Sequence, residues 1–267
     1  MSCVTRSSSH LAVRQFAPLS AAKVPEVTVM FWVVKVLTTG MGETTSDFLV
    51  RSIEPVIAVA IGAVAFTIVL VAQFARTRYT PWVYWFAVAM VSVFGTMAAD
   101  VTHIVLGVPY LVSTAAFAAA LAIIFLAWHR TEQTLSIHSI TTRRREFFYW
   151  ATVLVTFALG TAAGDMTATT LHLGYFASGV LFAIVIALPA LGYRFARFNP
   201  VFAFWFAYIA TRPLGASFAD WMGVSHVRGG LQWGTGLVSM VLAVLIIAGV
   251  AVITVRERRS VHTLANS

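Results

Sequence analysis

An all-α integral membrane protein, with eight transmembrane helices as four tandem helical-hairpin repeats related by pseudo-rotational symmetry, is the fold this sequence predicts. Three observations carry that expectation. Hydrophobic residues make up 59% of the 267 and charged residues 10%, against about 25% charged in a soluble domain, so the polar surface is too small to coat a soluble globule. The apolar residues gather in eight runs, roughly 27–49, 55–75, 81–102, 110–128, 147–168, 174–193, 201–222 and 232–255. Each is long enough to cross a hydrocarbon core of about 30 Å as a helix. A single skeleton also recurs four times without gaps: an aromatic residue and Trp, nine residues, Gly, four residues, Asp. The matches are Phe31-Trp32…Gly42…Asp47, Tyr84-Trp85…Gly95…Asp100, Tyr149-Trp150…Gly160…Asp165 and Phe204-Trp205…Gly215…Asp220, which use every aspartate in the chain.

Residues 1–26 form a Ser-rich basic tail without the apolar stretch of a signal peptide, and read as a disordered cytoplasmic segment. Repeat 1 covers 27–75, repeat 2 81–128, repeat 3 147–193 and repeat 4 201–255, with a basic tail at 256–267. The runs are too long for barrel strands and lack alternation, which leaves helices. The segments 48–54 and 223–231 keep seven or nine spans open as alternatives. The tails and inter-repeat loops hold fourteen Lys and Arg residues, whereas the turns inside the hairpins hold only Arg51 and Arg228. Positive residues collect on the cytoplasmic side, so both termini face the cytoplasm, in a bacterial inner membrane. The net charge of +8 lies in these loops, which argues against a nucleic-acid partner. One cysteine, Cys3, excludes a disulfide framework and a cysteine metal site.

All four odd-numbered helices then run outward in parallel. Trp32, Trp85, Trp150 and Trp205 read as interface anchors. Asp47, Asp100, Asp165 and Asp220 share one depth, where carboxylates facing lipid are costly and need water, a cation or one another. The residue four before each Asp is on the same helix face. Those positions are Glu43, Thr96, Thr161 and Ala216, an oxygen-rich set that suits hard cations. Gly42 and Pro213 are places where a helix can loosen and expose carbonyls. His103, His172 and His226 follow repeat aspartates by three to seven residues, as candidate metal ligands or proton relays. Within the spans, Lys35 is expected to snorkel to the cytoplasmic boundary and Arg212 to pair with Glu43 or an aspartate as a counter-ion. Four odd helices surrounding one axis, or two facing pairs, are equally compatible with the pattern.

The fourfold pattern, with two spans and a Trp per repeat, resembles a bacterial family of membrane-anchored proteins of unknown function built from four such repeats. The opening KVPEVT…FW…K…LTTGMGETTSD, residues 23–47, strengthens the likeness, which covers residues 23–255. It implies fold and location but no activity. From the residues themselves, the leading expectation is a secondary carrier or exporter of a cation, a divalent transition metal among the candidates, that acts without enzyme activity. The bound group this reading admits is a divalent metal cation. A redox protein holding haem or quinone, and a non-transporting scaffold or sensor partner, are the alternatives.

Overall fold

In the computed structural model, residues 22–195 and 198–265 are described. Eight long helices follow one another: α1 Val29–Ser52, α2 Pro55–Phe74, α3 Pro81–Asp100, α4 Tyr110–Glu132, α5 Arg143–Asp165, α6 Gly174–Phe195, α7 Pro200–Gly223 and α8 Thr235–Ala265. No strand occurs among the described residues. Helix starts follow local chemistry: Thr28, Thr142 and Asn199 accept first-turn amides with their side chains, and Pro55, Pro81 and Pro200 occupy first helical positions. By length and composition six segments suffice to cross a membrane: Pro55–Phe74, Pro81–Val105, Tyr110–Glu132, Arg143–Thr170, Gly174–Tyr193 and Thr235–Arg259. The helices α1 and α7 are less apolar because they carry Lys35, Glu43, Asp47 and Arg51, and Arg212 and Asp220.

The odd helices form a closed inner ring, α1 on α3, α3 on α5, α5 on α7 and α7 on α1. The repeated skeleton supplies each of these contacts. Phe31 packs on Trp85 at 5.6 Å between ring centroids, Tyr84 on Trp150 at 5.7 Å, Tyr149 on Trp205 at 6.2 Å, and Phe204 returns to Trp32 at 5.7 Å. The skeleton glycines repeat the scheme two to three turns further along. Gly42 lies against Ser92, Gly95 against Phe157, Gly160 against Arg212, and Gly215 against Thr39. In every case the partner stands three residues before the next repeat's glycine. The absent side chain is what lets neighbouring backbones approach.

Several expectations change here. The two helices of a repeat are antiparallel, yet they do not pack along one another as a hairpin. Instead α2 backs chiefly onto α3, α4 onto α5, α6 onto α7 and α8 onto α1, so each repeat is clasped by the next. Trp85, Trp150 and Trp205 are buried and Trp32 is half-buried; they bind repeat to repeat rather than anchoring an interface. Helices α1 and α7 run unbroken through Gly42 and Pro213, because the first is a packing contact and the second nests against Gly160 and Gly164.

The tails differ too. Residues 1–21 lie outside the described residues, but Lys23 and Val24 are buried. The Lys23 amide donates to the Ile140 carbonyl, and its Nζ is 2.6 Å from Glu146 Oε2, with Gln73 Nε2 donating to Oε1 at 3.0 Å. The C-terminal stretch from Arg256 to Ala265 continues α8 as helix.

Candidate functional site

Ring closure turns a sequence register into a polar centre. Glu43, Thr96 and Thr161, the residues four before three of the aspartates, all meet Arg212 from the fourth repeat. Arg212 Nη2 donates to Glu43 Oε2 at 2.6 Å, to Thr161 Oγ1 at 2.7 Å and to Thr96 Oγ1. Each threonine hydroxyl donates in turn to the carbonyl four residues back, Ser92 for Thr96 and Phe157 for Thr161, so its lone pairs face the guanidinium. Arg212 is 0% exposed and Glu43 4%. A charge pair without water survives only when its partners are this close. Ala216, the fourth equivalent position, offers no oxygen, and Arg212 occupies its neighbourhood instead.

Lys35 is also fully buried, with its Nζ 4.4 Å from the Phe157 ring centroid and 4.2 Å from that of Tyr208. It does not snorkel, because α3, α5 and α7 enclose α1 on its inner side. Nor is it an ion-paired counter-ion, since its ammonium nitrogen has no hydrogen-bond partner. Arg212 lies over the other reach of the same Phe157 ring, 5.4 Å from its centroid. Beyond Lys35 the aromatic pairs close that end of the ring, with Tyr84 and Tyr149 hydroxyls bonded to each other.

The aspartates stand one turn beyond the Arg212 centre. Asp220 is buried, and Asp47, Asp100 and Asp165 are half-buried. Asp47 pairs with Arg51 one turn along its own helix, at 2.6 Å. Asp100 and Asp165 come together across α3 and α5, and with a ring nitrogen of His103 they place one ligand atom each within 4.8 Å of the others. Both end their α-helices and lead into five-residue π-helical turns, Val101–Val105 and Met166–Thr170. Wide turns of this kind redirect side chains and concentrate at functional sites. Repeats 1 and 4 have no such turn after Asp47 and Asp220, so repeats 2 and 3 depart from the other pair.

His172 and His226 do not join this cluster. The helix after Asp165 ends before His172, which is exposed with φ 55°, so the face shared at a seven-residue offset does not exist. His226 is exposed in a short turn, with Nδ1 2.8 Å from the Gly230 carbonyl oxygen. His103, His172 and His226 therefore do not supply axial ligands from two helices at matched depth, as the haem alternative asks. Sequence reading missed Ser113 of α4, buried 2.6 Å from His103 Nε2, and Ser46, whose Oγ is 3.5 Å from Asp100 Oδ2. Neither bears a local signal. The Asp47–Arg51 spacing of four was legible.

The chain belongs to the family described as Repeat of Unknown Function (DUF347), whose model matches residues 30–79, 83–134, 148–198 and 203–259 in succession. No curated protein and no solved structure matches it.

Proposed function

We propose that the chain is a multi-pass carrier of a small cation, with all eight helices spanning and both termini in the cytoplasm of a bacterial cell. Six helices suit a bilayer on composition, and α1 and α7 complete the inner ring with two of them, α3 and α5. The observation that carries the reading is the stacking of two charged layers on the ring's inner faces. Glu43 and Arg212 form a buried pair, and Asp100 and Asp165 come together with His103 one turn further out. A cation arriving from the aspartate end is first held by Asp100 and Asp165. Glu43 then exchanges Arg212 for the cation, while Thr96 and Thr161 keep the guanidinium hydrogen-bonded. The aromatic pairs at the other end part for release. The sign of the outer layer favours cations over anions.

The test is flux of monovalent and divalent cations into proteoliposomes holding the purified full chain. Asp100→Asn and Asp165→Asn are expected to abolish flux of the transported ion without loss of membrane insertion. Full flux in both variants, or a loss of thermal stability with no wild-type flux of any ion tried, overturns the carrier reading and leaves a packing network.

A further inference from the structure

This inference rests on the carrier reading and names the substrate class at its outer layer: we propose that Asp100, His103 and Asp165 bind a divalent transition-metal ion, with Ser113 as the residue that positions the imidazole.

The hydrogen bonds around His103 accommodate the tautomer that a metal site needs. Ser113 Oγ is 3.0 Å from the Tyr110 carbonyl in the first turn of its own helix and 3.4 Å from that of Pro109 just before it. A hydroxyl has one proton, and this one is directed at those carbonyls. With its proton given to either carbonyl, Ser113 Oγ is free to accept from His103 Nε2, 2.6 Å away. In that arrangement the proton is on Nε2 and Nδ1 keeps its lone pair. Nδ1 is buried and has no partner, which is costly for a polar atom unless something occupies it. The ring cannot easily turn away, because Tyr110 covers it at 4.2 Å between centroids and Ser113 is itself 1% exposed.

Metal-bound histidines characteristically donate their other nitrogen to a neighbouring acceptor, which sets the tautomer and the ring plane. Ser113 supplies that here from a different helix, α4. The ligand chemistry follows from the donor set. One imidazole and two carboxylates, one of them across a helix interface, suit Mn, Fe(II), Co, Ni or Zn, whereas Mg and Ca are served by oxygen alone. Three protein ligands leave coordination positions for water, as in open metal sites rather than closed structural ones. An ion that must leave again needs such a site. The π-helical turn after Asp100 places His103 in reach, and Ser46 from α1 approaches Asp100 on its other side.

Cobalt(II) chloride is the probe, added to the purified full-length protein in lipid nanodiscs, with binding read by titration calorimetry and by visible ligand-field absorption. One ion per chain is expected, with bands that change on loss of a nitrogen ligand. His103→Gln and His103→Ala should weaken cobalt binding at least ten-fold and leave magnesium binding unchanged. Ser113→Ala should weaken cobalt by roughly ten- to a hundred-fold, as for other lost orienting partners. His172→Ala and His226→Ala should have no effect. Cobalt affinity and spectrum unchanged in both His103 variants, or no cobalt binding by wild type, overturns the inference. Flux that depends on Asp100 and Asp165 but ignores His103 leaves the carrier reading standing without it. Cobalt bound through His103 with no flux of any ion supports the site and overturns the carrier.

Discussion

Arg212 holds its charge where water cannot reach it, and the surrounding residues are chosen accordingly. Glu43 neutralises it, Thr96 and Thr161 accept from it, and Gly160 leaves room for its stem. Removing one member strands the other in a dry interior. Glu43→Gln and Arg212→Met are each expected to destabilise by roughly 3–5 kcal/mol, the usual cost of breaking a buried pair. The double variant should recover much of that loss, because no uncompensated charge remains. Thermal unfolding of the four proteins in detergent measures the coupling, and additive losses would mean that the pair is not a unit. The same logic applies to Lys23, Glu146 and Gln73 at the other end of the bundle. Glu146→Ala should lower stability and expose the segment before α1 to protease, while Arg144→Ala, whose side chain is 67% exposed, should do neither.

At the scale of the helix, each odd element is built from three contacts at fixed register. Its aromatic residue reaches the next repeat's Trp, its glycine admits the next backbone, and in the first three repeats the oxygen-bearing residue after the glycine faces the shared centre, where Arg212 of the fourth meets it. Gly95 abuts Phe157, so Gly95→Val needs space that is already filled. The expected loss is about 1–3 kcal/mol, as for other overpacked interiors, again read by thermal unfolding. Gly107, with open space around it and positive φ, should tolerate a change of volume far better, paying only in backbone strain. The even helices do different work. Their outer faces expose Ile57, Ile61, Val64 and Ile68 on α2, and Val244 and Ile247 on α8, as a helix needs when lipid replaces water around it.

The whole molecule is a ring in which the fourth repeat meets the first, and its orientation in the bilayer is open to a direct check. Cys3 is the one native thiol, so a Cys3→Ser background accepts single reporters. Val227→Cys, at a position 98% exposed in the α7–α8 turn, should react with a membrane-impermeant maleimide added outside cells. Gln133→Cys, between α4 and α5, should react only after lysis. The opposite pattern would invert the topology. Much of this architecture was legible in the chain. The apolar runs, the skeleton spacing and the pairing of Arg212 with an acid, Glu43 or an aspartate, follow from hydropathy, helical period and the cost of a lone charge, all of which act locally. Ring closure was not legible, since two facing pairs satisfy the same hydropathy. It alone decided that the Trp residues join repeats, that Lys35 stays enclosed, that His103 meets two aspartates while His172 and His226 do not, and that Ser113 matters. Those outcomes depend on which helix surfaces touch across some fifty residues of chain, and a local pattern of apolar and polar residues does not specify a neighbour.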